Sequence, residues 1–312
     1  MGKRRTNNRQ RERIIKLMKN KLFYIIVFIQ VSFSESTYTI LDFPFNASSH
    51  SLHNGAIAAS SKFLGINPAS ISIQNHYIEF SFFNLPANIK NSNISLCWFK
   101  KKNIYFFKIH TTDYGTLKDD FDDIQFKATD LTIELGHKFE YNNLFSIGLS
   151  MGYIRTIIDT YFSSGLFGNV GLRMNVLNER FSIGTSFNHI GFQIKPFIEN
   201  IEELPTSFKY GLAYRPMYLP VNIYFDIINY YKPYLKKIHF GLDFKIQQKI
   251  NFRISMINNR DDLNTDQYYK DILNNVSFGL GLKIKNQVFN ISLQNLGPAG
   301  IIYGFSILNE FN

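Results

Sequence analysis

The feature that most constrains this fold is an alternation of apolar with small or polar residues, which recurs along the chain from about residue 77 onward. In "VSFGLGLKI" (276–284) every second residue is apolar and the residues between them are Ser, Gly, Gly and Lys. The run "SIGLSMGYI" (146–154) repeats the pattern. Because successive side chains of a β-strand point to opposite faces, each run predicts a strand with one apolar face and one small or polar face.

The alternating runs predict about fourteen strands, separated by turn residues. Short turns alternate with longer polar connections, chiefly residues 113–125, 195–206 and 260–274, and no stretch shows the 3.6-residue apolar period of a helix. The abundance of Phe and Tyr, 31 and 18 residues, also favours strands. The predicted strands lie near residues 77–84, 91–100, 103–112, 127–140, 143–156, 163–177, 180–192, 207–216, 219–230, 236–248, 250–260, 275–285, 287–296 and 299–308.

An even number of strands with alternating short and long connections is typical of an outer-membrane β-barrel. A sheet in hydrocarbon must close so that every backbone group is hydrogen-bonded, and its apolar face then looks at lipid. The small face would line the lumen. Aromatic residues near strand ends are candidates for interfacial girdles: Tyr105, Phe106, Tyr210, Tyr214, Tyr218, Tyr224, Tyr230, Tyr231 and Tyr303. The alternative is a soluble, secreted sandwich or barrel with its apolar face buried.

The first 36 residues predict a basic extension followed by a secretory signal peptide. Residues 1–21 hold nine of the 34 Lys and Arg residues and one of the 24 acids, so the rest of the chain carries 25 basic and 23 acidic residues. The near-neutral remainder does not favour nucleic-acid binding. The apolar run "LFYIIVFIQVSF" (22–33) is short for a membrane-spanning helix but suits a signal peptide, and Met18 is a candidate start. These features predict export and integral insertion in the bacterial outer membrane, where lipid is the surrounding partner. A retained membrane anchor or a simple basic tail is the alternative.

Residues 37–76 are predicted to form a plug, ahead of a barrel at 77–312. The stretch "DFPFNASSHSLHNGAIAASSKFLGINPASI" (42–71) is nearly uncharged, rich in small residues and without strand alternation. A fourteen-stranded barrel is too wide for its own side chains to fill, so a compact irregular segment can occupy the lumen. The candidate plug residues are Pro44, Asn54, Gly55, Asn67 and Pro68. An ordered periplasmic extension is the alternative.

The same segments carry a resemblance to a known family. The block at 42–71, "TDYGTLKDDFDD" (112–123), "YFSSGLFGNVGL" (161–172), "LPTSFKYGLAYRP" (204–216) and "LGPAGIIYGFSI" (296–307) follow one another as in the PorV/PorQ proteins of the type IX secretion system. The chain resembles PorQ-like members more than PorV-like ones. The resemblance implies a fourteen-stranded barrel similar to the FadL transporters, and a non-catalytic component that binds or tethers a surface or secreted protein. A FadL-like channel for hydrophobic small molecules is the alternative function.

Binding to a protein partner is predicted for two of the long connections, which combine acidic and aromatic residues. No cofactor is predicted. The candidate partner-binding residues are Tyr114, Asp119, Asp120, Phe121, Asp122, Asp123, Phe197, Glu199, Glu202 and Glu203.

Three short motifs suggest other chemistry but lack its context. Gly148–Gly152 matches G-x-S-x-G, yet Ser150 sits inside an alternating strand and not at the strand-to-helix turn that a nucleophile requires, so an outer-membrane lipase is disfavoured. His50, His53 and His76 lack a further ligand for a metal site. The acidic residues of the 113–125 connection could hold Ca²⁺, but a solvated loop is the default expectation. We therefore predict no catalytic or metal-binding residues.

Overall fold

The computed structural model describes residues 38–60, 67–118, 125–176, 180–231, 235–247, 249–258 and 273–311. Its core is a closed barrel of fourteen antiparallel strands, as the alternating runs predicted. No helix within the described ranges is long and apolar enough to cross a membrane. The predicted signal peptide and basic extension lie outside the described residues.

The strands follow one another around the barrel in chain order. They are β1 (His76–Asn84), β2 (Lys90–Lys100), β3 (Asn103–Lys118), β4 (Gln125–Glu140), β5 (Phe145–Ile158), β6 (Tyr161–Val176), β7 (Phe181–Lys195), β8 (Ser207–Tyr214), β9 (Val221–Tyr230), β10 (Lys236–Ile246), β11 (Ile250–Ile257), β12 (Val276–Ile284), β13 (Gln287–Asn295) and β14 (Ile301–Phe311). Among the described residues, helical structure is confined to one turn, α1 (Ala47–His50), and to 3-10 turns at Thr39–Asp42, Pro68–Ser70, Pro86–Asn88 and Gly297–Ala299.

The first and last strands close the barrel by pairing with each other. β1 and β14 are antiparallel, and Tyr77 pairs with Glu310 while Phe83 pairs with Gly304. Closure leaves no sheet edge, which is what a sheet surrounded by hydrocarbon requires. The start of β1 and the end of β14 therefore lie at the same rim of the barrel, which we call the turn end. The opposite rim carries the longer connections, and we call it the loop end.

The two faces of each strand differ as the alternation predicted. On β5 the apolar residues Phe145, Ile147, Leu149 and Met151 point outward, and the Met151 side chain is 69% exposed. Exposed apolar rows of this kind surround the barrel, and they are stable only where lipid covers them.

The aromatic residues divide between the two faces. Tyr105 is stacked between Trp98 and His137, with ring centroids 5.9 and 4.8 Å away, on the outside near the turn end. Phe106 and Tyr224 are buried and point inward, so their assignment to a girdle was wrong. Strand alternation explains the error, because Phe106 adjoins Tyr105 in the sequence and so takes the opposite face.

The connection predicted at 113–125 is shorter than expected. β3 continues to Lys118 because its pairing with β4 resumes after a bulge between Asp113 and Thr116. Gly115, with φ 74°, lies in this bulge, where a residue without Cβ accommodates the left-handed backbone. A second irregularity interrupts β6–β7 pairing between Gly168 and Val170.

Candidate functional site

Residues 38–60 and 67–75 form a chain segment inside the barrel, which we call the luminal segment. Its polar groups bond to inward side chains on opposite parts of the wall. Asn46 Nδ2 donates to Glu79 of β1 at 3.0 Å, and Arg173 Nε of β6 donates to the Ala58 carbonyl at 2.8 Å. On β12 the Ser277 hydroxyl donates to the His50 carbonyl at 3.0 Å. These contacts fill the lumen with a folded backbone whose carbonyl and amide groups have partners.

The first half of the luminal segment is organised by α1. The Asn46 side chain accepts the Ser49 amide at 2.8 Å and the Ser49 hydroxyl lies 3.2 Å from the Asn46 amide, a reciprocal capping arrangement. Asn46 binds Glu79 through its other side-chain atom, so one residue both caps the helical turn and attaches it to the wall. The sequence predicts no helix here because four residues are too few to show a period.

A tight left-handed turn follows α1. His53, Asn54 and Ala56 have φ values of 48°, 56° and 59°, conformations that cost energy for residues with a side chain. The Asp226 carboxylate of β9 accepts the Ala56 amide at 2.7 Å and the Ile57 amide at 3.0 Å. His239 Nδ1 of β10 lies 2.6 Å from the same carboxylate, and both side chains are fully buried. This carboxylate stabilises the turn by charge-assisted hydrogen bonds to adjacent amides.

The second half is centred on Asn67 and Pro68. The Asn67 side chain accepts the Ala69 amide at 3.0 Å and donates to the Ile57 carbonyl at 2.9 Å, which joins the two halves of the luminal segment. Ser146 of β5 donates to the Ala69 carbonyl at 3.0 Å. Lys138 Nζ of β4 donates to the Ile71 carbonyl at 2.6 Å.

The inward glycines of the wall lie directly against this backbone. A Cβ on Gly148 would overlap Pro68 and Ala69, and one on Gly184 would approach the Ile57 carbonyl oxygen to 2.5 Å. A Cβ on Gly171 would overlap the Asn67 side chain. The inward faces of these strands therefore carry glycine because the luminal segment packs directly against them.

A small pocket of about 50 Å³ lies on the loop-end side of the luminal segment. Its apolar lining comes from Ile40, Leu41, Phe43 and Phe45 of the luminal segment and Phe167 of β6. Polar wall residues close the other side, including Lys108 and Glu134, whose charged groups are 3.3 Å apart. The luminal segment thus presents its apolar residues towards the loop end.

A larger cavity of about 520 Å³ lies on the turn-end side, and we call it the vestibule. Its floor is formed by small residues of the luminal segment, among them Ser48, Ser49 and Ser60. Its wall carries Arg215, Lys245, Lys249, Arg253 and Lys283 and one carboxylate, Asp243. The two cavities therefore differ in charge: the vestibule carries an excess of basic side chains, whereas Lys108 of the small pocket is paired with Glu134.

Burial controls the ionisation of the luminal-segment histidines. His50 is fully buried with its Nδ1 2.9 Å from the Ser292 hydroxyl, and burial lowers its pKa to about 4. The pKa of His53 also lies well below its usual value, mainly because the side chain is buried and secondly because His239 is close to it. Burial also raises the pKa of Tyr38, whose hydroxyl contacts Ser163 and accepts a hydrogen bond from Gln193. At neutral pH both histidines are uncharged.

The structure brings the candidate plug residues together inside the barrel. Asn54, Asn67 and Pro68 are buried, and Pro44 and Gly55 are half-buried. A Cβ on Gly55 would overlap the His239 ring.

Sequence reasoning missed Asp226, His239, Asp42 and Lys209, although a charged residue on an otherwise small strand face was a signal that could have pointed to Asp226 and Lys209. Lys209 Nζ of β8 lies 3.5 Å from the Asp42 carboxylate.

The candidate partner-binding residues are not all in loops. Tyr114 lies within β3 and donates from its hydroxyl to Asp130 at 2.7 Å, so its placement in a loop was wrong; the bulge at Gly115 lets the strand continue past it. Phe197 and Glu202 are half-buried in the 196–206 connection, while Glu199 and Glu203 are exposed. Asp119, Asp120, Phe121, Asp122 and Asp123 lie outside the described residues.

The residues considered for catalysis and metal binding make hydrogen bonds and packing contacts within the barrel wall. The Ser150 hydroxyl accepts a hydrogen bond from Asn169 at 2.9 Å, within the wall of β5. His76 packs against Phe99 and Phe311, with ring centroids 5.0 and 5.9 Å away, apart from His50 and His53. In the part of the chain that the structure describes, no group of three His, Cys, Asp or Glu residues could hold a metal ion.

Solved structures with a similar fold are outer-membrane transport proteins. The P. putida toluene transporter TodX has a TM-score of 0.62 and 11% identity, covering 87% of this chain and 99% of TodX. The Ralstonia pickettii toluene transporter TbuX gives the same values. The CymD monoaromatic hydrocarbon channel has a TM-score of 0.62 and 12% identity, covering 86% of this chain and 98% of CymD. No family model and no curated protein matches the chain in sequence.

The chain therefore has the fold of the FadL-like outer-membrane hydrocarbon channels. At this level of identity the likeness shows the fold alone, and the neighbours themselves are described as transporters or channels. It gives no support to the resemblance to PorV/PorQ proteins in particular.

Proposed function

We propose that this protein is an outer-membrane channel for small hydrophobic molecules, in which the luminal segment is the gate. The fold is that of TodX, TbuX and CymD, which are transporters or channels for toluene and monoaromatic hydrocarbons. In barrels of this kind the longer loops face outward and the short turns face the periplasm. The loop end is then the entrance and the vestibule is the exit.

The observation that carries the proposal is a group of apolar side chains that the luminal segment places beside the small loop-end pocket. Ile40, Leu41, Phe43 and Phe45 lie close together in the luminal segment, and they line the loop-end pocket with Phe167. An apolar solute that enters from the loop end and reaches these side chains gains free energy by leaving water. At about 50 Å³ the pocket is smaller than a typical ligand site, so passage requires the luminal segment to move.

Gating by the luminal segment is compatible with a stable wall. The strands are hydrogen-bonded to one another around the closed barrel, independently of the luminal segment. The segment is attached by separate polar contacts such as those of Asp226 and Glu79. Breaking these contacts displaces the segment while every strand remains paired.

Uptake into cells of a porin-deficient bacterial host tests the proposal. We expect the protein to raise the initial uptake of radiolabelled toluene above that of an empty-vector strain and to leave glucose uptake unchanged. Replacing Leu41 and Phe43 together by Asn removes apolar lining and should slow toluene uptake severalfold. Tyr141→Asn, at an exposed turn, is the matched control and should transport normally. Toluene uptake equal to the vector strain would contradict the channel function.

A second candidate function is the binding of a surface or secreted protein, as in the type IX secretion system. Its support is the 196–206 connection, in which Ile198 and Ile201 are 83% and 74% exposed beside the exposed acids Glu199 and Glu203. Exposed apolar residues in a polar setting are typical of protein recognition. A tagged barrel in a host with this secretion system should recover a surface protein, and Ile198→Ser/Ile201→Ser should abolish recovery. Equal recovery by both would contradict a role for this loop.

A further inference from the structure

The vestibule is a cavity of about 520 Å³ whose charged side chains are nearly all basic. Five cations and a single carboxylate line it, and the facing surface of the luminal segment contributes hydroxyls and small residues without charge. Its volume is that of a small-molecule site, and its net positive lining distinguishes it from the loop-end pocket, where Lys108 is paired with Glu134. The proposed passage of hydrocarbons gives no reason for this concentration of positive charge.

The cations form a continuous array on neighbouring strands. Lys245 of β10 pairs in register with Asn251 of β11, and Asn251 pairs with Gly281 of β12. Lys283 follows on the same face of β12, and its amide donates to the Lys249 carbonyl at 2.7 Å. Strand alternation therefore directs Lys245, Asn251 and Lys283 into the same cavity near its mouth.

Only part of this positive charge is neutralised by the protein. Arg253 Nε lies 3.3 Å from Asp243, and Lys283 Nζ lies 3.1 Å from Glu310. Within the described residues, Arg215, Lys245 and Lys249 have no carboxylate within 4.0 Å and no side-chain hydrogen bond. Arg180, with Arg215 and Lys245, lines a smaller cavity of about 70 Å³ that shares residues with the vestibule. Arg215, Lys245 and Lys249 are exposed at the mouth of the cavity, where they create a positive potential that attracts anions.

We propose that the vestibule is a binding site for a small soluble polyanion, such as an organic polyphosphate or polycarboxylate, at the periplasmic side of the barrel. Arg215 supplies a planar donor fork and Lys245 and Lys249 supply flexible ammonium groups, the side chains that bind phosphate and carboxylate oxygens. Ser48 and Ser60 place further hydroxyls on the floor, whereas the Ser49 hydroxyl already donates to the Asn46 carbonyl. The site goes beyond the proposed channel function and does not require that hydrocarbons pass through the barrel.

Binding to the purified barrel in a neutral detergent tests the site. Isothermal titration with tripolyphosphate and with citrate should show saturable binding that weakens as salt is raised, whereas maltose should not bind. Arg215→Gln/Lys245→Gln should weaken tripolyphosphate binding about tenfold, because each cation contributes a few-fold through a solvent-accessible pair. Lys101→Gln/Lys102→Gln removes the same charge from an exposed turn at the same rim and is the matched control. Heat-modifiable migration in gels verifies that each variant is folded.

Two comparisons distinguish a specific polyanion site from general charge attraction and from lipid binding. Retention of wild-type affinity by Arg215→Gln/Lys245→Gln, or an equal loss in the control variant, would overturn the proposal. Titration in nanodiscs distinguishes a soluble ligand from a lipid headgroup. Binding that persists in nanodiscs containing phosphatidylglycerol supports the soluble polyanion. If tripolyphosphate binds in phosphatidylcholine nanodiscs but not in those containing phosphatidylglycerol, the anionic lipid occupies the cavity. That result would overturn the proposal of a soluble ligand. A barrel that binds tripolyphosphate but does not raise toluene uptake would contradict the channel alone.

Discussion

Asp226 of the barrel wall and Ala56 of the luminal segment, 170 residues apart in the chain, are joined by a hydrogen bond of 2.7 Å from the Ala56 amide to the carboxylate. The same carboxylate accepts the Ile57 amide and contacts His239. It is the point at which a strained turn of the luminal segment is attached to the wall. Substitutions at this attachment and on the two faces of the barrel should therefore have separable effects.

Asp226→Asn is expected to loosen the luminal segment and to leave the barrel intact. An amide cannot accept both backbone N–H groups with two oxygens, and each lost bond to a charged acceptor costs about 1.5–3 kcal/mol. Hydrogen exchange of the amides in residues 38–60 should accelerate about tenfold or more, while exchange in the strands is unchanged.

The matched control for this substitution is Glu134→Gln. Glu134 is also a carboxylate inside the barrel, but it pairs with Lys108 and Asn169 of the wall. It should leave exchange in the luminal segment close to that of the wild type. Equal acceleration in both variants would show that Asp226 has no special role in holding the segment.

Gly211→Ala should have the same effect without altering a charged group. A Cβ at Gly211 would overlap Asp226 Oδ1, the oxygen that accepts the Ile57 amide, so the carboxylate must move and this hydrogen bond is disrupted. Gly168→Ala is the control, because its Cβ would come no closer than 3.3 Å to a neighbouring atom. Mass-spectrometric hydrogen exchange should show faster exchange in residues 38–60 for Gly211→Ala only. A luminal segment that exchanges normally in this variant would argue against close packing at Gly211.

The luminal segment should become less stable as the pH falls below about 6.5. The folded pKa of His50, about 4, lies below the usual histidine value of 6.5, so the displaced segment binds more protons between these values. The stabilisation is complete above about pH 6.5 and is lost progressively towards pH 4, on the order of 3 kcal/mol in all. The lowered pKa of His53 acts in the same direction.

Limited proteolysis across pH 4–7 measures this loss. Cleavage within residues 38–60 should increase on acidification in the wild type, and His50→Gln/His53→Gln should flatten the dependence. His76→Gln, which changes a histidine outside the lumen, should keep the wild-type profile. An unchanged profile in the double variant would refute the role of these two histidines.

A charge on the outer face should hinder membrane insertion in a manner that depends on depth. Met151 lies mid-strand on β5 and is 69% exposed, so Met151→Lys places an ammonium group in lipid at a cost of about 2–4 kcal/mol. Tyr141 is similarly exposed, at 67%, but lies in a turn at the rim, where a lysine costs about 0–1 kcal/mol. Refolding into lipid vesicles should be impaired by Met151→Lys and not by Tyr141→Lys. Equal refolding would indicate that the outer face does not contact lipid.

The strands were predictable because each follows from the alternation of apolar and small or polar residues among sequence neighbours. The strand starts follow from period-2 runs bounded by turn residues to within about two residues, as β12 at Val276 and β5 at Phe145 illustrate. The extension of β3 past residue 112 was missed because a bulge interrupts the alternation there. The placement of Phe106 was missed because an aromatic residue suits either face.

The candidate site was less predictable because its contacts join distant positions. A neutral, small-residue segment suggested an occupant of the lumen, and Asn54, Gly55 and Asn67 were identified from it. The wall residues that hold it, such as Asp226 and Arg173, carry no motif. Their hydrogen bonds to Ala56 and Ala58 depend on the register of the strands around the barrel. The alternation within one strand does not reveal that register.

The sequence by itself determined the number of strands, their order in the chain and the alternation of two unlike faces along each strand, because this alternation follows from backbone geometry between neighbouring residues. The tertiary structure decided what the inward faces meet. Gly148, Gly184 and Gly211 are small because the luminal segment or a carboxylate that holds it occupies the space beside them. That fit, and the charge left unpaired in the vestibule, exist only once closure brings the fourteen strands around one lumen.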